Sequence, residues 1–181
     1  PDGTVTTFNG AQAEETAYIQ AQRTAAEKSQ LAANAIKDAH TAANELANLQ
    51  ELLDRQTSIE EDAKKALDNL KLRSISPTAQ ALAEEKLERV REYKASLQAE
   101  LEKAKTKLDT LKTTETTSRD EAVAAEKAVE TARTALKTAA EANLARANAY
   151  VLSQKGRYKV TARAVDSNGV VTTPTVDGTE S

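Results

Sequence analysis

Apolar residues between Gln12 and Tyr150 recur with a helical spacing, and this run contains no Gly and only one Pro. Counting by sevens from Tyr18, every position is apolar, and a second row three residues later is apolar except for one lysine. The two rows are Tyr18, Ala25, Ala32, Ala39, Leu46 and Leu53, and Ala21, Lys28, Ala35, Ala42 and Leu49. Such rows form the a and d seam of a coiled coil. Because a stripe of Ala and Leu is not stable alone in water, the rest of the chain must supply its partner.

The pattern predicts a first helix over about 12–56 and leaves open how it ends. Ser58 is followed three residues later by Glu61, the spacing of a capping box. Either the first helix ends there and a short helix follows over 58–72, or one helix runs through with a kink. A separate short helix would have its own seam, made of Ile59, Ala63, Ala66 and Leu70.

Two further helices are predicted after a definite break at Ser76 and Pro77, residues suited to an N-cap and a first helical position. One spans about 77–112. Its seam has a single polar member, Lys94, and a lone polar core residue can set register at a cost in stability. The seam is Ala83, Leu87, Val90, Lys94, Leu97, Leu101, Ala104, Leu108 and Leu111.

The segment Thr113–Thr117 is rich in β-branched polar residues, which are poor helix formers. Ser118 and Glu121 repeat the capping-box spacing. A tight turn at the tip of a helical hairpin is therefore predicted here, followed by a helix over about 119–152. The seam of that helix is Ala122, Ala125, Val129, Ala132, Leu136 and Ala139, slipping by one to Ala140, Leu144, Ala147 and Val151.

Both ends of the chain have a different pattern. Residues 1–10 form a lead-in in which Thr4–Phe8 favours a short strand. Polar and apolar residues alternate after Arg157, and Asn168-Gly169 is typical of a tight turn, so a small β-hairpin is predicted over 156–174. Because a lone two-stranded hairpin is marginal, it should lean on the helix ends or add the N-terminal strand. The polar residues 175–181 are expected to be linker.

The predicted fold is therefore mainly α: an elongated antiparallel helical bundle, or coiled-coil hairpin, over 11–153, with a small terminal β-hairpin. The 181 residues include one Phe and no Trp or Met, so helices must pair closely through alanine rather than enclose a thick core. We expect a monomer, because the breaks between helices are short enough to reverse the chain. Both termini read as cut linkers, so a fragment of a larger protein is expected.

Charge and composition exclude several function classes. The net charge of −3 and the interspersed charges of both signs disfavour nucleic-acid binding. The absence of Cys excludes disulfides and Cys-based metal sites. No stretch approaches the ~18 apolar residues of a membrane-spanning helix. His40 is the only histidine and is read as a solvated helix residue. With no nucleophile motif, phosphate loop or carboxylate pair, we expect a protein that is not an enzyme and holds no cofactor or metal.

Four residues are candidates for a contact site. Tyr93 lies beside the seam of the third predicted helix, and tyrosines make good interface anchors. Thr114, Glu115 and Thr116 lie at the predicted hairpin tip, which would be exposed. The other tyrosines are interpreted as side chains that fill the space left by alanine.

Part of the chain resembles a known family. The run SISPTAQALAEEKLERVREYKASLQAELEKAKTKLDTL resembles the helical-hairpin segment of S-type pyocins and related colicin-like bacteriocins, and ANLARANAYVLSQKGRYKV resembles their passage from an Ala-rich helix into β structure. The resemblance covers about residues 74–165 and includes no nuclease, pore-forming or muramidase segment. It implies a secreted targeting module that binds an outer-membrane receptor protein or aids translocation into Gram-negative cells. The alternative is a coiled-coil spacer of a phage tail or surface fibre.

Overall fold

Two long helices account for almost all of the described chain. The computed structural model describes residues 10–73, 76–153, 159–161, 164–165, 168–169, 171–172 and 175–177. Helix α1 spans Gln12–Leu72 and helix α2 spans Pro77–Ser153. The predicted mainly α class is confirmed. The predicted lead-in strand at Thr4–Phe8 lies outside the described residues.

The chain divides into two compact units. We call residues 1–31 with 119–181 the terminal unit, and residues 32–118 the central unit. In each unit α1 and α2 are antiparallel, because contacts later along α1 are made with residues earlier along α2. In the central unit these contacts are Glu45 with Lys107, Glu60 with Lys94 and Lys71 with Glu84. In the terminal unit Ala11 clusters with Leu136 and Ala140, and Lys28 pairs with Glu121.

Helix α1 is continuous, so the separate helix over 58–72 does not form. The hydroxyls of Thr57 and Ser58 donate back to the carbonyl oxygens of Leu53 and Asp54, four residues earlier, instead of capping a new helix. The heptad phase that the residues before Ser58 establish therefore continues through this segment without interruption. It leaves Ile59 and Ala66 exposed, contrary to their predicted places in a seam. Gln56, Glu60, Ala63, Leu67 and Leu70 are buried or half-buried instead.

Helix α2 is also continuous, which corrects the predicted tip at 113–118 and the division into helices over 77–112 and 119–152. The hydroxyls of Thr113, Thr114 and Thr116 donate to the carbonyl oxygens four residues earlier, at distances of 3.0–3.1 Å. These bonds let threonine stay in a helix interior. The half-buried row Leu111, Glu115, Ser118 and Ala122 also carries the seam through this segment in phase.

The predicted seams are otherwise confirmed. Every member of the two α1 rows from Tyr18 to Leu53 is buried or half-buried, as is every predicted seam position of α2. The core consists of small and medium side chains, as the composition required. Its most buried apolar members are Ala42, Leu136, Ala140 and Ala147.

The first backbone hydrogen bonds mark the starts of both helices. The amide of Gln80 donates to the carbonyl oxygen of Ser76 at 3.1 Å, so Ser76 precedes the first turn of α2 and Pro77 begins it, as predicted. The amide of Glu15 donates in the same way to Ala11 at 2.9 Å. Residues 74 and 75, within the break, lie outside the described residues.

Among the described residues after α2 there are four short strands: β1 at Lys159–Thr161, β2 at Ala164–Val165, β3 at Val171–Thr172 and β4 at Thr175–Asp177. Strand β1 pairs antiparallel with β4, and β2 with β3. Strand β4 corrects the prediction that 175–181 is linker throughout, because its β-branched residues pair with β1. Several residues of the predicted hairpin over 156–174 lie outside those described, so its full extent stays a prediction.

Gly169 brings this C-terminal segment against the helices of the terminal unit. It is buried and has a φ of 81°, a left-handed conformation that favours glycine. A Cβ atom on Gly169 would lie 3.0 Å from Tyr18 Oη and 3.4 Å from Arg133 Nε. Arg133 lies twenty residues before the end of α2, and Tyr18 lies in the second turn of α1. Gly169 therefore contacts α2 far from its C-terminal end but α1 near its start, and the predicted alternative, addition of the strand at Thr4–Phe8, lies outside the described residues.

Candidate functional site

Tyr93 and Ile59 lie on the same side of the α1–α2 seam in the central unit. Tyr93 directly precedes Lys94, and Ile59 directly precedes Glu60. Lys94 Nζ donates to Glu60 Oε2 across the seam at 2.9 Å. In antiparallel coiled helices, the residues that precede the a positions of the two helices lie along the same edge of the seam. The geometry therefore places the tyrosine and isoleucine side by side on one face.

Contacts on both sides of the Tyr93 and Ile59 pair join residues at equivalent heptad positions of the two helices. Lys107 Nζ donates to Glu45 Oε2 at 3.1 Å, and these residues lie two heptads after Tyr93 and two heptads before Ile59. At the other side, a cavity of about 390 Å³ joins Ala66 and Lys86, which lie one heptad from the same pair. Its full lining is Ile59, Asp62, Ala63, Ala66, Ala83 and Lys86.

Large apolar side chains remain exposed along this face. Leu52 lies one heptad before Ile59 on α1, and Leu82 lies one turn before Lys86 on α2. The exposed fractions of Leu52, Ile59, Leu82 and Tyr93 are 41%, 46%, 62% and 51%. We call these four residues the Tyr93 surface. Apolar side chains gathered on one exposed face are typical of protein-binding sites, whereas single ones are ordinary.

Charges of both signs surround the Tyr93 surface. Arg55, Lys86 and Arg89 lie on the stripes of α1 and α2 that carry the apolar residues, and Asp62 and Glu100 are acidic side chains on the same stripes. All five are exposed. Arg55 and Arg89 also form ion pairs with Glu51 and Glu85, each one turn earlier on its own helix. The ion pairs orient the two guanidinium groups without removing them from solvent.

A polar layer crosses the seam beneath this face. Glu60 accepts from Lys94 at 2.9 Å and from Arg91 Nε at 3.4 Å, and Gln56 Nε2 donates to the carbonyl oxygen of Val90 at 3.4 Å. The hydrogen bond from Lys94 is the main reason that the pKa of Glu60 lies below its ordinary value; partial desolvation opposes it, and the charges of Lys94 and Arg91 add to it. The layer holds the helices in one register below the apolar patch.

The structure does not bring the predicted site residues together. Thr114 lies twenty-one residues after Tyr93 on the same helix, about 31 Å along its axis at ~1.5 Å per residue. Thr114 and Thr116 donate their hydroxyls to Thr110 and Lys112 within α2. Glu115 is half-buried on the seam rather than at a tip. Of the four candidates, Tyr93 alone belongs to an exposed apolar face.

A second concavity lies in the terminal unit. This groove has a volume of about 1000 Å³, and Ala25, Val123 and Val129 are its apolar members. Its polar members are Gln22, Glu126, Lys127, Glu130 and Thr131. Val123 is the large apolar side chain exposed there, so this groove offers fewer apolar anchors than the Tyr93 surface.

His40 is exposed on α1. Within residues 10–73, 76–153 and the short strands, no three His, Cys, Asp or Glu side chains are grouped so as to hold a metal ion. Neither described helix has an apolar stretch long enough to cross a membrane.

Comparison with known proteins identifies no relative: no family model, no curated protein and no solved structure matches the chain. The candidate site therefore rests on geometry alone. Sequence reasoning missed Leu52, Ile59 and Leu82. The α1 heptad could have shown that Leu52 and Ile59 lie outside the seam. The row of Leu46 and Leu53 reaches Glu60 at its next step, so Leu52 and Ile59 each directly precede a seam position.

Proposed function

We propose that this chain is a non-catalytic targeting module of a bacteriocin, which binds an outer-membrane receptor protein or aids translocation into Gram-negative cells. The proposal joins the resemblance over residues 74–165 to one structural observation. The seams of α1 and α2 pack on each other within one polypeptide, while an apolar face centred on Tyr93 stays open to solvent. A module that binds another protein needs a fold that is stable by itself and a surface that stays exposed for the partner.

The closed seam supports a monomeric module. Helices that bury their a and d rows against each other need no second chain to be stable. We propose that the β segment after α2 forms a small hairpin. The polar, mixed-charge exterior fits a protein that works in an aqueous extracellular setting.

The alternative function is a coiled-coil spacer of a phage tail or surface fibre. A fibre would assemble through heptads that face other chains. The burial of the α1 and α2 seams inside one chain favours the targeting module over this alternative. Sedimentation equilibrium separates the two: a concentration-independent trimer would support the fibre, and a monomer would support the module.

A competition assay tests the targeting function directly. The 181-residue chain is added to sensitive Gram-negative cells before a colicin-like toxin that carries the same segment. We expect dose-dependent protection, because an isolated targeting module occupies the receptor without killing. A chain with Tyr93→Lys and Ile59→Lys is the matched variant, checked for an unchanged helical circular dichroism spectrum. No protection by the unmodified chain, together with no capture of any outer-membrane protein, would refute the proposal.

A further inference from the structure

We infer that Asn168 is a site of spontaneous deamidation, and that the isoaspartyl product displaces Gly169 from the helices of the terminal unit. The inference goes beyond the targeting function and does not depend on it. It is carried by the glycine that follows Asn168, by the exposure of Asn168 and by the close fit of Gly169 against Tyr18 and Arg133.

The reaction joins two neighbouring groups of the chain. The backbone nitrogen of Gly169 attacks the side-chain carbon Cγ of Asn168, the Cγ–Nδ2 bond breaks, and ammonia leaves with the proton of the Gly169 amide. Water then opens the cyclic imide at either of its carbonyl groups, which gives aspartate or isoaspartate. A glycine favours ring closure, because without a Cβ atom its backbone adopts many conformations and leaves the nitrogen uncovered.

The turn presents the side chain of Asn168 to water. Val165 of β2 pairs with Val171 of β3, and Asn168 lies midway between them in the sequence. Asn168 is exposed, whereas Gly169 is buried. Water therefore has access to the carbon atom that is attacked and to the imide that forms from it.

The other described asparagines provide an internal comparison, because all of them lie within α1 or α2 and none precedes a glycine. They are Asn34, Asn44, Asn48, Asn69, Asn143 and Asn148. Inside a helix the next residue's amide donates to the carbonyl oxygen four residues before it, and its nitrogen is shielded by the surrounding turn. We therefore expect ring closure to be much slower at these positions than at Asn168.

The two products differ in their effect on the turn. Aspartate leaves the main chain unchanged and, like asparagine, suits a tight turn before glycine. Isoaspartate routes the main chain through the former side chain, which inserts an extra carbon atom directly before Gly169. Gly169 has a φ of 81°, and a Cβ atom on it would lie 3.0 Å from Tyr18 Oη and 3.4 Å from Arg133 Nε. Because normal peptide units fix the spacing of neighbouring Cα atoms, the longer main chain displaces Gly169 from this fit.

The first experiment ages the full 181-residue chain in mildly alkaline buffer and maps its peptides by mass spectrometry. Tryptic cleavage after Arg163 gives one peptide, residues 164–181, that contains Asn168. We expect this peptide to gain the mass of amide-to-acid conversion at least tenfold faster than any peptide containing a helix asparagine. The Asn168→Gln chain is the matched control and should react at least tenfold more slowly there, because glutamine must close a larger ring.

The second experiment compares the two products. Ion-exchange chromatography isolates the isoaspartyl chain, which is identified by enzymatic methylation of its isoaspartyl carboxylate, and the Asn168→Asp chain represents the other product. Amide hydrogen exchange of β2 and β3 should be at least tenfold faster in the isoaspartyl chain than in the unaged chain. In the Asn168→Asp chain it should stay within about twofold of the unaged rate, because the main chain is unchanged.

A mass gain in the 164–181 peptide no faster than in the helix peptides would overturn Asn168 as the modification site. Exchange in the isoaspartyl chain equal to that in the Asn168→Asp chain would overturn the displacement of Gly169. Neither readout involves a receptor or a sensitive cell, so failure of the competition assay leaves both results standing.

Discussion

Glu60 and Lys94 face each other across the helix pair of the central unit, joined by a 2.9 Å hydrogen bond between Lys94 Nζ and Glu60 Oε2. Their side chains are only 22% and 24% exposed, at positions that both helices otherwise fill mostly with apolar residues. These two half-buried polar side chains can form their hydrogen bond with each other in one alignment of α1 against α2. A slip by one heptad would leave both charges facing apolar side chains, where an unpaired charge is costly.

The first prediction is that this pair fixes register through its charges. Glu60→Lys places a third cation beside Lys94 and Arg91, and Lys94→Glu sets two carboxylates together, so each should lower the urea midpoint of unfolding. The double swap should recover at least half of the loss. The exposed pair Glu51–Arg55 is the matched control, whose swap should change stability by less than ~0.5 kcal/mol. A double swap no better than the worse single variant would contradict the prediction.

The second prediction concerns pH. The pKa of Glu60 in the folded chain lies below its ordinary value of 4.5. A lowered pKa means that the charged carboxylate stabilises the folded chain above the ordinary value and that this contribution is lost as pH falls through the lowered one. Unfolding of the unmodified chain and of Glu60→Gln, measured from pH 6 to pH 3, should therefore show a stability difference that shrinks below about pH 4.5. A difference that stays constant over this range would contradict the assignment.

The third prediction tests the continuity of α2 through its threonine-rich segment. Thr114→Pro removes a backbone donor and adds a clash inside a helix, so it should cost about 3 kcal/mol or more of unfolding free energy. Thr114→Ala should leave stability unchanged or raise it by up to ~0.7 kcal/mol, because alanine is the better helix former. Both are read by thermal unfolding followed by circular dichroism. A Pro variant as stable as the Ala variant would mean that the segment is a turn.

The fourth prediction concerns Gly169 and Tyr18. Gly169→Ala adds a Cβ at 3.0 Å from Tyr18 Oη in a backbone with φ of 81°. We expect a cost of about 1–2 kcal/mol from the left-handed conformation, with a further part from the crowding. Tyr18→Phe removes the crowded oxygen, so the combined variant should recover only the second part. Amide hydrogen exchange of β2 and β3 reports the local loss. Strictly additive effects of the two changes would show that these residues do not touch.

The heptads were readable from the sequence because helical periodicity depends on local spacing. Tyr18, Ala32, Leu46 and their companions line the seam as predicted, and so do Leu87, Leu97 and Leu108. Ser76 and Pro77 were also readable, since their capping chemistry acts within one turn.

The break at 113–118 was predicted wrongly, and the end of the first helix at Ser58 was left open, because local signals were given priority over the phase of the seam. A Ser or Thr hydroxyl can cap a helix or donate to the carbonyl oxygen four residues earlier, and the sequence does not choose between these bonds. The half-buried row Leu111, Glu115, Ser118 and Ala122 favours the continuous helix, although threonine propensity opposes it. Tertiary packing therefore decided the helix ends.

The sequence by itself determined that this chain forms long helices with an Ala- and Leu-lined seam, because period and propensity are properties of neighbouring residues. Only the tertiary structure decided which polar residues enter that seam and which apolar ones stay outside it. The sequence showed that Lys94 is a polar residue within the seam. Its partner Glu60 follows only from the antiparallel alignment of two segments that are distant in the sequence. The same alignment moves Ile59 out beside Tyr93, because a continuous helix keeps its phase and a residue next to a seam position faces solvent.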